Sequence, residues 1–281
     1  MVNQTSQTLV INHNRVYHIS MAGNPALPVL LLLHGFTGSH ASWDDLLPDL
    51  TQMFRVVMPD LPGHGQSFYS SDPHDMSLHI TAGDLQKILE RLGITKAGVL
   101  GYSMGGRLAL HLPLYAPNLV DFLVVESATA GIDNLSERIL RKQQDEQLAS
   151  YIETRGLDWF VPYWSHIPLF ASQKTLPIAV LDHQEEIRFG QDPYGLAQSL
   201  RAAGTGHQAS LWPILPYYRA PTLIVTGQKD EKYQSIGQKL HHTMPNSQWV
   251  NIAHAGHTVH LEQPESFLSA IKHFYLTTLS R

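Results

Sequence analysis

The sequence predicts an α/β protein, a mostly parallel twisted sheet flanked by helices on both faces. Three observations carry that prediction. Residues 28–36 (PVLLLLHGF), 54–60 (FRVVMPD), 97–103 (AGVLGYS) and 119–128 (LVDFLVVESA) are short apolar runs, the pattern of strands buried on both faces. Between them lie longer stretches such as HITAGDLQKILERLG and GGRLALHLPLYAP, whose apolar residues recur at helical spacing. The two kinds of segment alternate, which is the chain order of parallel strands joined by crossover helices.

Taken in order, TLVIN and RVYHISMAG flank a polar turn and read as an antiparallel hairpin. The strand at 28–36 is stopped by glycine, ASWDDLLPDL reads as a helix, and FRVVMPD as the next strand. Residues 79–93 form a helix ended by Gly93. AGVLGYS is a strand, GGRLALHLPLYAP a helix stopped near Pro117, and LVDFLVVESA a strand again. The rhythm then breaks. From 131 to 218 no strand is convincing, and SERILRKQQDEQLASYIET, GLDWFVPYW and PYGLAQSLRAAG read as helices separated by glycine and proline. Strands resume with APTLIVTGQKDE and SQWVNIAHAGH, and PESFLSAIKHFYLTTL closes the chain as an amphipathic helix. The expected organisation is one domain over 1–281, with 131–218 inserted between two sheet strands as a helical lid.

Composition narrows the function. With 43 % hydrophobic and 15 % charged residues the chain is an ordinary globular protein, and its formal charge of −5 gives no basic field for nucleic acid or an anionic membrane. An anionic ligand must be met by local cations. The absence of cysteine excludes disulfides, thiolate zinc sites and a cysteine nucleophile. The opening MVNQTSQTLVINHNRVY has no basic n-region or unbroken apolar h-region, and no later run approaches membrane-span length, so a cytoplasmic protein is expected.

Chemistry enters at Gly101-Tyr102-Ser103-Met104-Gly105. A serine hydroxyl is inert near neutrality unless a second group takes its proton and a third orients that group. Here Ser103 stands where a buried strand turns sharply into a helix, with glycines two positions to either side to relieve crowding, a context that projects the hydroxyl outward. Of 17 histidines, His257 is the candidate base, because it lies in the loop between the last strand and the last helix. The spacing of His254, His257 and His260 suggests a metal site, but no Asp or Glu converges nearby and no metal is expected. His34 reads as bonded within its own loop and His64 as a turn residue. Asp230, after TLIVTGQK, fits the chain order Ser, Asp, His. Asp60 and Glu126, also at strand ends, are its rivals, and Glu231 is its neighbouring alternative. The amides of Phe36, in the HGFTG loop, and Met104, at the start of the helix, are the candidate oxyanion donors.

In order along the chain, HGF, DLPGHGQS, GYSMGG, GQKDEKY and AGHTVHLEQP resemble the α/β-hydrolase fold family across essentially the whole sequence. That fold hosts esterases, C–C hydrolases, dehalogenases and lyases, so the reaction needs further marks. The arginines supply them. Arg107 stands one helical turn beyond Ser103. Arg138, Arg141, Arg188 and Arg201 lie in the lid, with Trp159 and Trp164 nearby. Each has a plainer reading as a solvated surface charge, but several guanidiniums facing one pocket would match carboxylates.

GYSMGGRLAL, ESATAGI, RKQQDEQLA, WSHIPLF, GLAQSLRAAGTGHQASLW, GQKDEKY and AGHTVHLEQP more narrowly resemble the menaquinone-pathway 2-succinyl-6-hydroxy-2,4-cyclohexadiene-1-carboxylate synthase family. The resemblance implies a lyase that eliminates pyruvate from an enolpyruvyl cyclohexene bearing three carboxylates. It implies Ser103, Asp230 and His257 as a triad with the serine as proton-abstracting base. Phe36 and Met104 would be the oxyanion hole, and Tyr102, Arg107, Arg141, Trp164 and Arg188 the substrate-binding residues, with Arg138 as an alternative to Arg141. It implies no cofactor and a monomer or small homo-oligomer. Competing readings are an esterase or C–C hydrolase on the same scaffold, a receptor that binds without turnover, and a purely structural role.

Overall fold

The computed structural model describes residues 2–278. Eight strands form one sheet: β1 (Gln4–Asn12), β2 (Arg15–Ala22), β3 (Val29–Leu33), β4 (Arg55–Pro59), β5 (Ala97–Tyr102), β6 (Val120–Glu126), β7 (Thr222–Gly227) and β8 (Ser247–Ile252), in spatial order β1-β2-β4-β3-β5-β6-β7-β8. The hairpin β1–β2 and the β2–β4 pair are antiparallel, and every other pair is parallel. The helices are α1 (Leu47–Leu50), α2 (Leu78–Arg91), α3 (Met104–Tyr115), α4 (Leu135–Ser165), α5 (Ile178–Phe189), α6 (Pro193–Ala203), α7 (Glu231–Thr243), α8 (Val259–Glu262) and α9 (Pro264–Thr278). The last residue of the expected final helix, Leu279, lies outside the described residues.

The unbroken apolar runs are explained by burial on two faces. In β3, Leu31 and Leu33 join Val99, Val125 and the inner faces of α2 and α3 in one core, while Leu30 and Leu32 join Val124, Val225 and α9 in the other. Burying a leucine side chain stabilises the fold by about 1.5–3 kcal/mol, and a side chain faces the core on both sides of the pleat.

Three local outcomes differ from the sequence reading. ASWDDLLPDL is a 3-10 helix over His40–Leu46 followed by the single α-turn α1, whose second residue is Pro48. Proline has no N–H to carry an α-ladder back into the preceding turn. SERILRKQQDEQLASYIET and GLDWFVPYW form one element, α4, bent at Gly156 (φ 71°). The helices α5, α7 and α8 have no counterpart in the sequence reading.

Only helices occur between β6 and β7 among the described residues. This insertion has a small core of its own, built from Ala149, Ile152, Phe160, Val161, Leu196, Ala197 and Leu200. Among the described residues no helix is long and apolar enough to cross a membrane.

Candidate active site

The site lies at the C-terminal ends of the parallel strands, where the insertion covers them. Ser103 follows β5 directly and stands at the N-cap position of α3, its hydroxyl making no cap bond to the helix. Its backbone (φ 51°, ψ −104°) occupies a region that L-residues avoid, and its N–H is tied to the Glu126 carbonyl at 2.9 Å. Strain of this kind costs about 1–3 kcal/mol and persists only where the surroundings impose it. Gly105 shows how they do: a Cβ there would stand 1.9 Å from the Leu33 carbonyl oxygen. The helix can start this close to β3 only on a residue with no side chain.

His257 Nε2 lies 3.1 Å from Ser103 Oγ, and His257 Nδ1 lies 2.7 Å from Asp230 Oδ2. Asp230 is itself fixed as the N-cap of α7, accepting the Tyr233 N–H at 3.2 Å through its other oxygen. The rival carboxylates are occupied elsewhere. Glu126 binds His260. Asp60 accepts from His40, from the amides of His40 and Gln66, and lies 3.2 Å from His18 Nδ1. Glu231 is exposed.

A cavity opens over the serine, lined by Phe36, Tyr102, Ser103, Met104, Arg107, Arg141, Trp164 and His257, all singled out by the sequence. Met104 begins α3, so its N–H belongs to the first turn, where helices leave donors unpaired. Arg107 is buried in the wall. Its Nη1 donates to the Ala203 carbonyl at 2.7 Å and to Gln208 Oε1 at 3.3 Å, and burial brings its pKa down to about 10. Arg141, rather than Arg138, reaches the cavity and pairs with buried Asp145 at 2.8 Å. Arg201 bridges Glu146 and Glu153 on the outer helix face, which is the solvated reading.

Arg188 stands apart from the other arginines. It lines an adjoining cavity that shares Phe36, Tyr102 and Phe170 with the first. It donates to Ser165 Oγ at 2.7 Å, sits 5.6 Å from the Phe170 ring centroid, and burial lowers its pKa. The arginine–carboxylate pairs among the described residues involve Arg15, Arg141 and Arg201, and leave Arg107 and Arg188 with none. Buried charge without a charged partner is costly; Arg107 offsets part of that cost through its two neutral acceptors and Arg188 through one.

Sequence reading missed Phe170, Ser199, Thr205, Lys232 and Tyr233 in the main cavity wall. Lys232 and Tyr233 had a signal, since they open the helix capped by Asp230. The others come from the insertion, inside the WSHIPLF and GLAQSLRAAGTGHQASLW stretches that carry the resemblance, but no charge or local chemistry singles them out there. His254 is exposed and His260 is buried against Glu126, so the three histidines do not converge. Among the described residues the group of three with converging donors is His18, His40 and Asp60, a hydrogen-bonded network remote in sequence from Ser103.

Residues 28–264 match the family model of the alpha/beta hydrolase fold. A 2-succinyl-6-hydroxy-2,4-cyclohexadiene-1-carboxylate synthase of Yersinia pestis bv. Antiqua (strain Nepal516) is 30 % identical, covering 88 % of this chain and 87 % of its own. A protein of Bacillus subtilis (strain 168), provisionally given the same name, is 38 % identical over 92 % of this chain and 94 % of its own. The chain belongs to this synthase family of α/β hydrolases. The structure of MenH from S. aureus superimposes on it with a TM-score of 0.87 at 32 % identity, over 92 % of this chain and 97 % of that one. The synthase match spans the insertion as well as the sheet, so it includes the walls that carry the arginines.

Proposed function

We propose that this enzyme is a lyase that eliminates pyruvate from 2-succinyl-5-enolpyruvyl-6-hydroxy-3-cyclohexene-1-carboxylate to give 2-succinyl-6-hydroxy-2,4-cyclohexadiene-1-carboxylate. The observation that carries the reading is the pair of buried arginines without carboxylate partners, Arg107 in the serine's own cavity and Arg188 in the adjoining one. A neutral ester would leave both uncompensated, whereas a polycarboxylate satisfies them with charge-assisted, bidentate bonds.

The ring numbering of substrate and product defines the chemistry. One double bond at position 3 becomes two at 2 and 4, so a proton leaves C2 and the oxygen substituent leaves C5. The C2 proton is acidic because the succinyl ketone is adjacent. Ser103 Oγ, deprotonated through His257, takes this proton. Asp230 holds the His257 tautomer and balances the imidazolium. The Phe36 and Met104 amides stabilise the enolate oxygen of the ketone. Collapse of the dienolate breaks the C5–O bond, and the departing enolate acquires a proton to become pyruvate. Tyr102, Arg141 and Trp164 shape the pocket. No step calls for a metal or cofactor.

Supplying this substrate and following pyruvate release, with a nitrophenyl ester in parallel, tests the reading. Pyruvate release with negligible ester hydrolysis is expected. Ester turnover without pyruvate would assign the site to a hydrolase, and tight binding with no turnover to a receptor.

A further inference from the structure

The loop that carries His257 is held by a carboxylate that has no part in the chemistry above. Glu262 ends the short helix α8 and turns its side chain back beneath the loop. Its Oε2 accepts the Gly256 N–H at 2.7 Å and its Oε1 the Thr258 N–H at 3.2 Å. These are the amides on either side of His257. Glu262 is buried, and no cation pairs with it among the described residues. Capping a helix needs only a short neutral oxygen, so a buried carboxylate is a costly way to satisfy two amides. A charged acceptor does form bonds about twice as strong as a neutral one, and two of them span His257 like a bracket.

The loop needs such a bracket. It begins at His254 in a left-handed conformation (φ 64°). At Gly256 there is no room for a side chain, because a Cβ would collide with Ser172 of the insertion and stand 3.1 Å from Glu262 Oε1. On the opposite side Thr258 Oγ1 meets Tyr102 Oη at 2.7 Å and receives Gln173 Nε2 at 2.9 Å. Without Glu262 the loop backbone would keep those side-chain contacts but lose the two bonds that orient the peptide planes around His257.

We propose that Glu262 is a positioning residue that sets the distance from His257 Nε2 to Ser103 Oγ by clamping the amides of Gly256 and Thr258. The proposal rests on His257 as the base for Ser103. A displacement of about 1 Å in such a group costs about 100-fold in rate. Glu262→Gln keeps one acceptor but turns an amide donor towards a backbone N–H, and is expected to lower kcat about 10- to 100-fold with KM changed less than about twofold. The low-field proton resonance of the His257–Asp230 hydrogen bond should shift or broaden in the same variant. Glu262→Asp keeps the charge but is too short to reach both amides, and carries the same expectation if the glutamine variant does not fold. A purely structural role would lower the melting temperature while leaving kcat and the resonance of the folded protein unchanged, and that result overturns the clamp. His257→Ala serves as the control. If it releases pyruvate normally, the reading of the site fails; if it is inactive while the Glu262 variants keep kcat and resonance, only the clamp fails.

Discussion

Two buried histidine–carboxylate pairs lie three residues apart in this protein. His257 meets Asp230 at 2.7 Å and His260 meets Glu126 at 2.8 Å, each through Nδ1. What differs is the far side of the ring. His257 presents Nε2 to Ser103 and the cavity, whereas the His260 ring packs against Trp43 (4.8 Å between centroids) and Tyr102 (4.9 Å), and its backbone N–H also goes to Glu126. In the proposed mechanism the same two functional groups therefore make a proton relay in one place and a strut in the other. Proximity of a carboxylate does not distinguish them; what surrounds the rest of the ring does.

The comparison can be broken most directly by truncation. Ser103→Ala and His257→Ala should each lower kcat for pyruvate release by about 10⁴- to 10⁶-fold, the scale for groups that act as a unit, with melting temperatures close to wild type. Near-normal turnover in either would remove the relay. His260→Ala should act in the opposite sense. It leaves buried Glu126 with only the backbone N–H of residue 260, a loss of about 1–3 kcal/mol in unfolding free energy by denaturant titration, while the folded fraction keeps most of its turnover. Arg107→Ala should lower kcat/KM by about 2–5 kcal/mol, the range for leaving a buried charged partner unpaired; unchanged kinetics would make Arg107 a wall residue only.

The last effect concerns a third pair. Burial alone would raise the pKa of Asp60, but its bond to His40 and the nearby imidazoles outweigh that and bring it to about 2. A folded-state value below the ordinary carboxylate pKa stabilises the protein fully above about pH 4, and that contribution, about 2 kcal/mol, is lost as pH falls through 2. Asp60→Asn should flatten the acid limb of stability when melting is followed between pH 5 and pH 2. A limb of unchanged steepness would assign the acid sensitivity to other carboxylates.

Legibility divides along the same lines. The sheet was readable because burial on both faces writes unbroken apolar runs such as VLLLL, and Ser103 because a strand-to-helix turn demands small neighbours. In the segment EKYQSIGQKLHHT of α7, Tyr233, Ile236 and Leu240 recur at helical spacing, but Gly237 in mid-helix and the polar remainder obscure it; the helix docks on β7 with Asp230 as its cap. Asp230, Glu126 and Asp60 all lie at or just after strand ends, so chain order favoured Asp230 without removing its rivals; the partners of each carboxylate in space separate them. Arg188 illustrates the remaining gap. Its place in a neighbouring cavity is decided by how Phe36, Tyr102 and Phe170 meet, three residues from three distant segments.

The contact between Gly105 and Leu33 bears on what a motif can testify to. With 1.9 Å available, no other residue type fits, whatever reaction Ser103 performs. The glycines of such a turn thus report geometry rather than chemistry. Arg107, one turn further along the same helix, is under no such steric compulsion, and its charge faces the cavity that holds Ser103. For inferring chemistry, the replaceable residue is the better witness.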